Sequence, residues 1–288
     1  MKTKRLGPTV AGSWYPAEPE ELTRQLDDYL RTVDGATDAP ETPVVALIAP
    51  HAGYVYSGTV AGAGFRYLRG CSFARVVLLG PSHHAAFQGA ALPSASLYVT
   101  PLGEVPIDTA AVARLADLPG MTVNDRPFQP EHCLEMEIPF LQHTLVPGWR
   151  LLPVLIGGAS GPEGCSLVSD ALLPLVGPDT LLVVSSDFTH FGPRFDFTPF
   201  RHDVPEKIRE LDMGAVDRIL AFDRVGFQRY VDRTGATICG RRAIDVLLGV
   251  LPGNLETSLV AYDTSGSITG DWVHSVSYAS LSFQSRPD

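Results

Sequence analysis

Apolar residues in this chain gather into short continuous runs instead of alternating with polar ones. The runs at residues 44–49, 75–80, 151–156 and 181–184 are built from Val, Leu, Ile and Ala with few interruptions. Runs of this length read as strands buried on both faces, as in a largely parallel sheet covered by helices. Three of them lead straight into histidine-bearing turns. The first ends in Pro50-His51, and the second in Gly80-Pro81-Ser82-His83-His84. The third ends in Ser185-Ser186-Asp187, with His190 three residues on. Ligands in such sheets bind just beyond the carboxyl ends of the strands, so polar groups from three ends converge on one pocket. The run at 151–156 ends in Gly157-Gly158 and brings no reactive side chain.

Helical periodicity fills the intervals. Residues 19–33 place Leu22, Leu26, Leu30 and Val33 near one face, with Pro19 suited to the first helical position. A polar loop follows at 35–42. Ser57 is read as the cap of a helix reaching about Leu68. Further helices are expected at 108–118, 131–145, 166–176, 208–220, 225–234 and 240–251. In the second of these, Leu134, Ile138, Leu141 and Leu145 form a stripe, and Pro139 should kink the helix or mark its true start. Residues 258–262 and 275–283 read as strands. The histidine-bearing ends span residues 51 to 190, so a boundary inside that span would split the site. One domain over 1–288 is therefore expected.

Composition narrows the class. A chain of 288 residues can bury roughly 75% of its unfolded surface and needs no covalent staple. The net charge of −10 argues against a general nucleic-acid or anionic-membrane surface. Cys71, Cys133, Cys165 and Cys239 are far apart and form no C-x-x-C pair, which fits a reducing compartment. The basic N-terminus lacks a following apolar segment, and no run reaches the ~18 apolar residues of a membrane span. A cytoplasmic protein without nucleic-acid or membrane partners is expected.

Imidazoles and a carboxylate meeting beyond strand ends suggest a metal site or an acid–base site. A lone histidine such as His51 is more often structural; the pattern at three strand ends changes that reading. His83 and His84 are adjacent and point in different directions, so His83 is taken as the candidate ligand. His190 is a candidate general base, with Asp187 orienting it or touching a metal. Cys239 is by itself a buried apolar thiol. A helix N-terminus and Arg241-Arg242 nearby would favour its thiolate. Thiolate with imidazoles is a ligand set for zinc, copper or iron. Glu131 and Glu135 lie one helical turn apart, a spacing that suits a solvated face. G-x-S-x-G, G-x-G-x-x-G, Walker A and H-E-x-x-H patterns are absent, which removes the corresponding hydrolase, nucleotide and zinc-protease classes.

The ordered set of short segments is more specific than any one of them. Ala11-Gly12-Ser13-Trp14-Tyr15, Ala49-Pro50-His51-Ala52-Gly53-Tyr54 and Leu79-Gly80-Pro81-Ser82-His83-His84 come first. Glu131-His132 with Glu135, Val184-Ser185-Ser186-Asp187-Phe188 with His190 and Gly192, Thr237-Ile238-Cys239-Gly240-Arg241, and Ser275-Val276-Ser277-Tyr278-Ala279 follow. Together they resemble the Memo family, known in microbes as AmmeMemoRadiSam system protein B, across nearly the whole chain. That resemblance implies an α/β fold. It is a three-layer α/β/α sandwich around one mixed, largely parallel sheet, similar to class III extradiol dioxygenases. It places His51, His83 and Cys239 at metal-ligand positions, and Asp187 and His190 at catalytic ones. Tyr54, His84, Glu131, His132, Glu135 and Arg241 would surround the pocket. Cys133 stands where the family often has serine.

The resemblance implies iron(II) or copper, with zinc as a further option, and an unknown small-molecule substrate. The family label implies a functional link to a radical-SAM protein. The dioxygenases use two histidines and a carboxylate; a cysteine in place of the carboxylate gives a softer, oxidisable ligand that suits copper at least as well as iron. A dioxygenase-like redox enzyme is the first functional expectation. A non-catalytic module that binds a phosphorylated or anionic peptide through Arg241, histidine and backbone N–H groups is the second, and a metal-buffering protein the third.

Overall fold

The structure is a computed structural model that describes residues 4–31 and 42–286. The expected polar loop at 35–42 lies outside the described residues except for Thr42, and so does Val33 of the first helical stripe.

Four parallel strands form the centre of a nine-stranded sheet. In chain order the first strand, β1 (Arg5–Leu6), belongs to a small separate sheet, and the central four begin with β2 (Val44–Ala49) and β3 (Arg75–Pro81). Short strands β4 (Ala90–Leu92), β5 (Leu97–Thr100), β6 (Gly103–Pro106) and β7 (Met121–Val123) follow. Then come β8 (Arg150–Ile156), β9 (Thr180–Ser185), β10 (His190–Phe191), β11 (Glu256–Thr264) and β12 (Ser275–Gln284). The spatial order is β10-β12-β2-β9-β3-β8-β4-β7, with β11 beside β12. β2, β9, β3 and β8 pair in parallel; β12 runs antiparallel to β2, and β4 antiparallel to β8. The sheet is therefore mixed and parallel at its centre, as the continuous apolar runs require. β1, β5 and β6 make the three-stranded sheet.

Helices cover both faces. α1 (Pro19–Tyr29), α2 (Tyr54–Phe65) and, after the short α3 (Thr109–Leu115), α4 (Cys133–Thr144) pack against one another. α5 (Pro162–Leu172), α6 (Val204–Leu220), α7 (Arg224–Thr234) and α8 (Arg241–Val250) form a second group, and α9 (Ser265–Thr269) precedes β12. α4 and α8 each contact both β3 and β9, so the centre of the sheet is sandwiched between the two groups. β9 is buried at every position, and β3 at all but its first.

Several element ends differ from the sequence reading. α2 starts at Tyr54 with Gly53 as its N-cap, and Ser57 lies inside the helix, donating to Ala52 O. The chain turns immediately after His51, so the helix begins before its hydroxyl residue. Pro139 lies within α4 and does not mark its start. α3 is shorter than expected and is capped by Asp108, whose carboxylate accepts from Ala111 N. The small strands β1, β4–β7 and β10 are too short to leave a periodic signal.

Candidate metal centre

β2, β9 and β3 are spatial neighbours, and their carboxyl ends lie side by side. The three polar turns therefore meet. β2 runs into Pro50 and His51, whose backbone N–H donates to Asp187 Oδ1 at 2.8 Å. β9 runs through Ser185 to Asp187. β3 delivers His83. Cys239 arrives from the residue pair just before α8, where Asp187 N approaches its sulfur at 3.2 Å and Gly240 N donates to Ser186 Oγ.

One ligand-capable atom from each of His51, His83 and Cys239 lies within 4.8 Å of the other two. Cys239 Sγ is 3.4 Å from His51 Nε2. His51 Nδ1 is engaged by Ser185 Oγ at 2.7 Å. His83 Nδ1 lies 2.8 Å from Glu131 Oε1. Glu131 is buried, which by itself would raise its pKa. Hydrogen bonds from the His83 ring and backbone, and from Cys133 N, more than offset this and hold the carboxyl at about 2. An ionised Glu131 accepts Nδ1–H from His83, leaving that ring's Nε2 as a lone pair. Both imidazoles thus have the outer support that metal-binding histidines ordinarily receive. Burial, then the nearby His83, lowers the His51 pKa well below its ordinary value, so its ring is neutral and fit to ligate.

The thiolate expected at Cys239 is not favoured by its surroundings. Burial, then the neighbouring Asp187, pushes the thiol well above its ordinary pKa. The half-buried sulfur packs against His51 and the Asp187 backbone, and that desolvation exceeds any help from the α8 terminus. A cation is what would draw off its proton. Two soft-to-borderline nitrogen donors and one sulfur on a common point fit iron, copper or zinc better than a hard cation such as magnesium.

Other expected residues fall around this cluster in different ways. His132 stacks on His83 with ring centroids 4.9 Å apart, and burial, then His51, lowers its pKa to about 3. Asp187 braces the His51 backbone, and burial raises its carboxyl above the ordinary range. His190 is oriented by carbonyls and not by Asp187: its Nδ1 lies 2.9 Å from Phe188 O and 3.1 Å from Thr237 O. Both partners only accept, so Nδ1 carries the proton and Nε2 is free to take one. His84 lines a neighbouring open cleft of about 700 Å³, shared with Phe87, Asn124, Arg126 and Gln129.

Three expected pocket residues serve elsewhere. Glu135 is not on a solvated face: it is fully buried and accepts from Thr9 N, Val10 N and the Tyr15 hydroxyl. Tyr54 is a core residue whose hydroxyl donates to Met136 O. Arg241 pairs with Asp232 at 3.1 Å and lines a separate cavity of about 160 Å³ with Arg242 and Asp245.

Sequence reasoning missed Ser185, Glu137, Thr237 and Trp14 as parts of the site. Glu137 left a usable signal, because it lies on the apolar stripe of α4, three residues after Leu134 and four before Leu141. Trp14, whose ring centroid is 4.4 Å from that of His132, carried no such mark.

Fold and site together define a mixed α/β protein with a candidate metal centre at the carboxyl ends of its central strands. The Memo-like protein family model matches residues 7–282. The chain is 34% identical over 283 residues to the Caenorhabditis elegans "Protein memo-1 homolog", covering 94% of this chain and 80% of that one. It is 32% identical over 289 residues to a MEMO1 family protein of Methanopyrus kandleri, covering 96% and 98%. Against human "Protein MEMO1" it is 32% identical over 283 residues, covering 93% and 94%. The chain belongs to the Memo-like family. A crystal structure of an uncharacterized Escherichia coli K12 protein shares the fold, with a TM-score of 0.53 at 14% identity, covering 83% of this chain and 99% of that one.

Proposed function

We propose that this protein is a cytoplasmic metal-dependent redox enzyme, dioxygenase-like, with iron or copper held by His51, His83 and Cys239. The observation that carries this reading is the convergence of three ligand atoms within 4.8 Å, two on imidazoles whose other nitrogen is already engaged. The cysteines are unpaired, which fits a reducing compartment. No helix of the described residues is long and apolar enough to cross a membrane.

The bound metal would supply a Lewis-acidic, redox-active centre for a small-molecule substrate and oxygen. The chain's residues do the rest. Glu131 and Ser185 hold the two imidazoles in orientation. Asp187 fixes the turn that carries His51. His190, held by the Phe188 and Thr237 carbonyls, presents Nε2 as a proton acceptor. Neutral His132 walls the site beside His83 without adding charge. The open cleft at His84 and Phe87 offers an approach of ligand size. The peptide-binding alternative draws on Arg241 with histidine and backbone N–H groups; Arg241 here makes a solvent-exposed pair with Asp232.

Elemental analysis of protein purified without oxygen and without chelator tests the reading, with His51→Ala alongside. Near-stoichiometric iron or copper in the wild type, lost in the variant, supports it and directs a screen of catechol-like substrates with oxygen. No metal in either protein after reconstitution overturns it.

A further inference from the structure

A buried acid behind the cluster has no part in ligation. Glu137 on α4 is fully buried, with Oε1 2.8 Å from Ser185 Oγ and Oε2 without a hydrogen-bond partner. Ser185 Oγ stands between three groups: His51 Nδ1 at 2.7 Å, Cys133 O at 2.7 Å and Glu137 Oε1. A serine hydroxyl gives one proton and accepts through two lone pairs. Cys133 O can only accept. An ionised Glu137 would compete with it for the single Ser185 proton. It would also be a buried carboxylate with a bare oxygen, and Asp187 as its charged neighbour.

A proton on Glu137 ends the competition at Ser185 and leaves Oε2 as a neutral carbonyl oxygen rather than a bare charge. Glu137 then donates to Ser185, Ser185 donates to Cys133 O, and His51 Nδ1–H donates to the remaining Ser185 lone pair. His51 Nε2 is left bare, 3.4 Å from Cys239 Sγ. Burial independently pushes the Glu137 carboxyl well above its ordinary range. Without Glu137 the hydroxyl could turn and donate to His51 Nδ1 instead. The proton would then sit on Nε2, where it blocks ligation.

We propose that Glu137 is a positioning residue: acting through the Ser185 hydroxyl, it fixes His51 as the Nδ1–H tautomer and keeps Nε2 free for a metal. Its consequence for binding rests on the metal-site reading above, whereas the tautomer itself does not.

The test uses the full chain labelled with ¹⁵N-histidine, and zinc as the probe ion. Two-bond ¹H–¹⁵N spectra report the His51 tautomer before zinc is added, and a zinc titration reports affinity. The wild type is expected to show Nδ1–H. Glu137→Leu and Ser185→Ala are expected to give mixed tautomers and to weaken zinc about 10–100-fold. Glu137→Gln, whose amide N–H can still donate to Ser185, is expected to restore both. An Nε2–H imidazole in the wild type overturns the proposal without recourse to any variant, should Glu137→Leu fail to fold. An unchanged Nδ1–H imidazole in a folded Glu137→Leu overturns it as well. A tautomer that follows Glu137 while zinc binds to no form supports the positioning role and overturns only the metal reading.

Discussion

Cys239 Sγ and His51 Nε2 lie 3.4 Å apart although 188 positions separate the two residues in the chain. Only the sheet order brings them together. β2 and β9 pair in parallel register, Ala49 with Ser185, and the residues before α8 close over the end of β9 through the Gly240 N–H to Ser186. If both atoms ligate one ion, Cys239→Ser should abolish the near-ultraviolet thiolate-to-metal absorption of the cobalt-substituted protein. Affinity should fall by more than the roughly 100-fold upper value seen for outer partners. An undiminished band in the variant would remove Cys239 from the ligand set.

Gly240 sets how close Cys239 can come. A Cβ there would lie 2.4 Å from Ser186 Cβ and 3.0 Å from Ser185 O. Gly240→Ala must therefore push α8 and its preceding cysteine away from β9. A stability loss of roughly 1–3 kcal/mol is expected from overpacking, together with weaker metal retention. Urea denaturation and zinc titration of the same variant measure the two effects; full stability with full affinity would show that the turn tolerates the methyl.

Glu135 anchors the segment that carries Trp14. Its carboxylate collects Thr9 N, Val10 N and the Tyr15 hydroxyl in a buried position. Glu135→Ala leaves three donors unsatisfied, at a cost of about 3 kcal/mol. The Trp14 ring should then leave His132, against which it is packed. A red-shifted tryptophan emission and faster proteolysis near residues 9–15 would report the release, and an unchanged emission spectrum would contradict it.

Asp108 gives a pH signature distant from the candidate metal centre. Burial would raise its carboxyl, but the Ala111 N–H and Arg75 more than offset this and hold it below the usual 3.8. A depressed carboxylate contributes stability that is complete above its unfolded value and lost as pH falls through the folded one. Asp108→Asn keeps the cap and loses the ion pair with Arg75, so it should cost about 1–2 kcal/mol at pH 7. That difference should shrink below about pH 4. Denaturant midpoints at pH 7 and pH 3 check it; an equal difference at both would remove the ionic contribution.

The central strands were legible because strands buried on both faces cannot carry polar residues, and their apolar runs stand out. The polar turns after β2, β3 and β9 were legible for the same reason, since His51, His83 and Asp187 break those runs abruptly. The short strands β4 to β7 and the exact start of α2 were not. Three or four residues carry no period, and the α2 boundary depends on Gly53 meeting the Trp14 segment, with Tyr54 N donating to Trp14 O.

By itself the sequence determined which side chains were available for chemistry, and that the sheet would present them at strand ends. Family-specific motifs ordered along the chain added the ligand assignment. The tertiary structure decided which of them meet. It put Glu135 and Tyr54 to structural use, set Arg241 beside a separate cavity, and placed Glu137 and Ser185 behind His51. It also turned the expected Cys239 thiolate into a half-buried thiol whose neutral form is favoured. The physical reason is that hydrogen-bond partners and desolvation depend on contacts between residues 48 to 188 positions apart. No local pattern encodes such distances, whereas burial periodicity is written into every run of the chain.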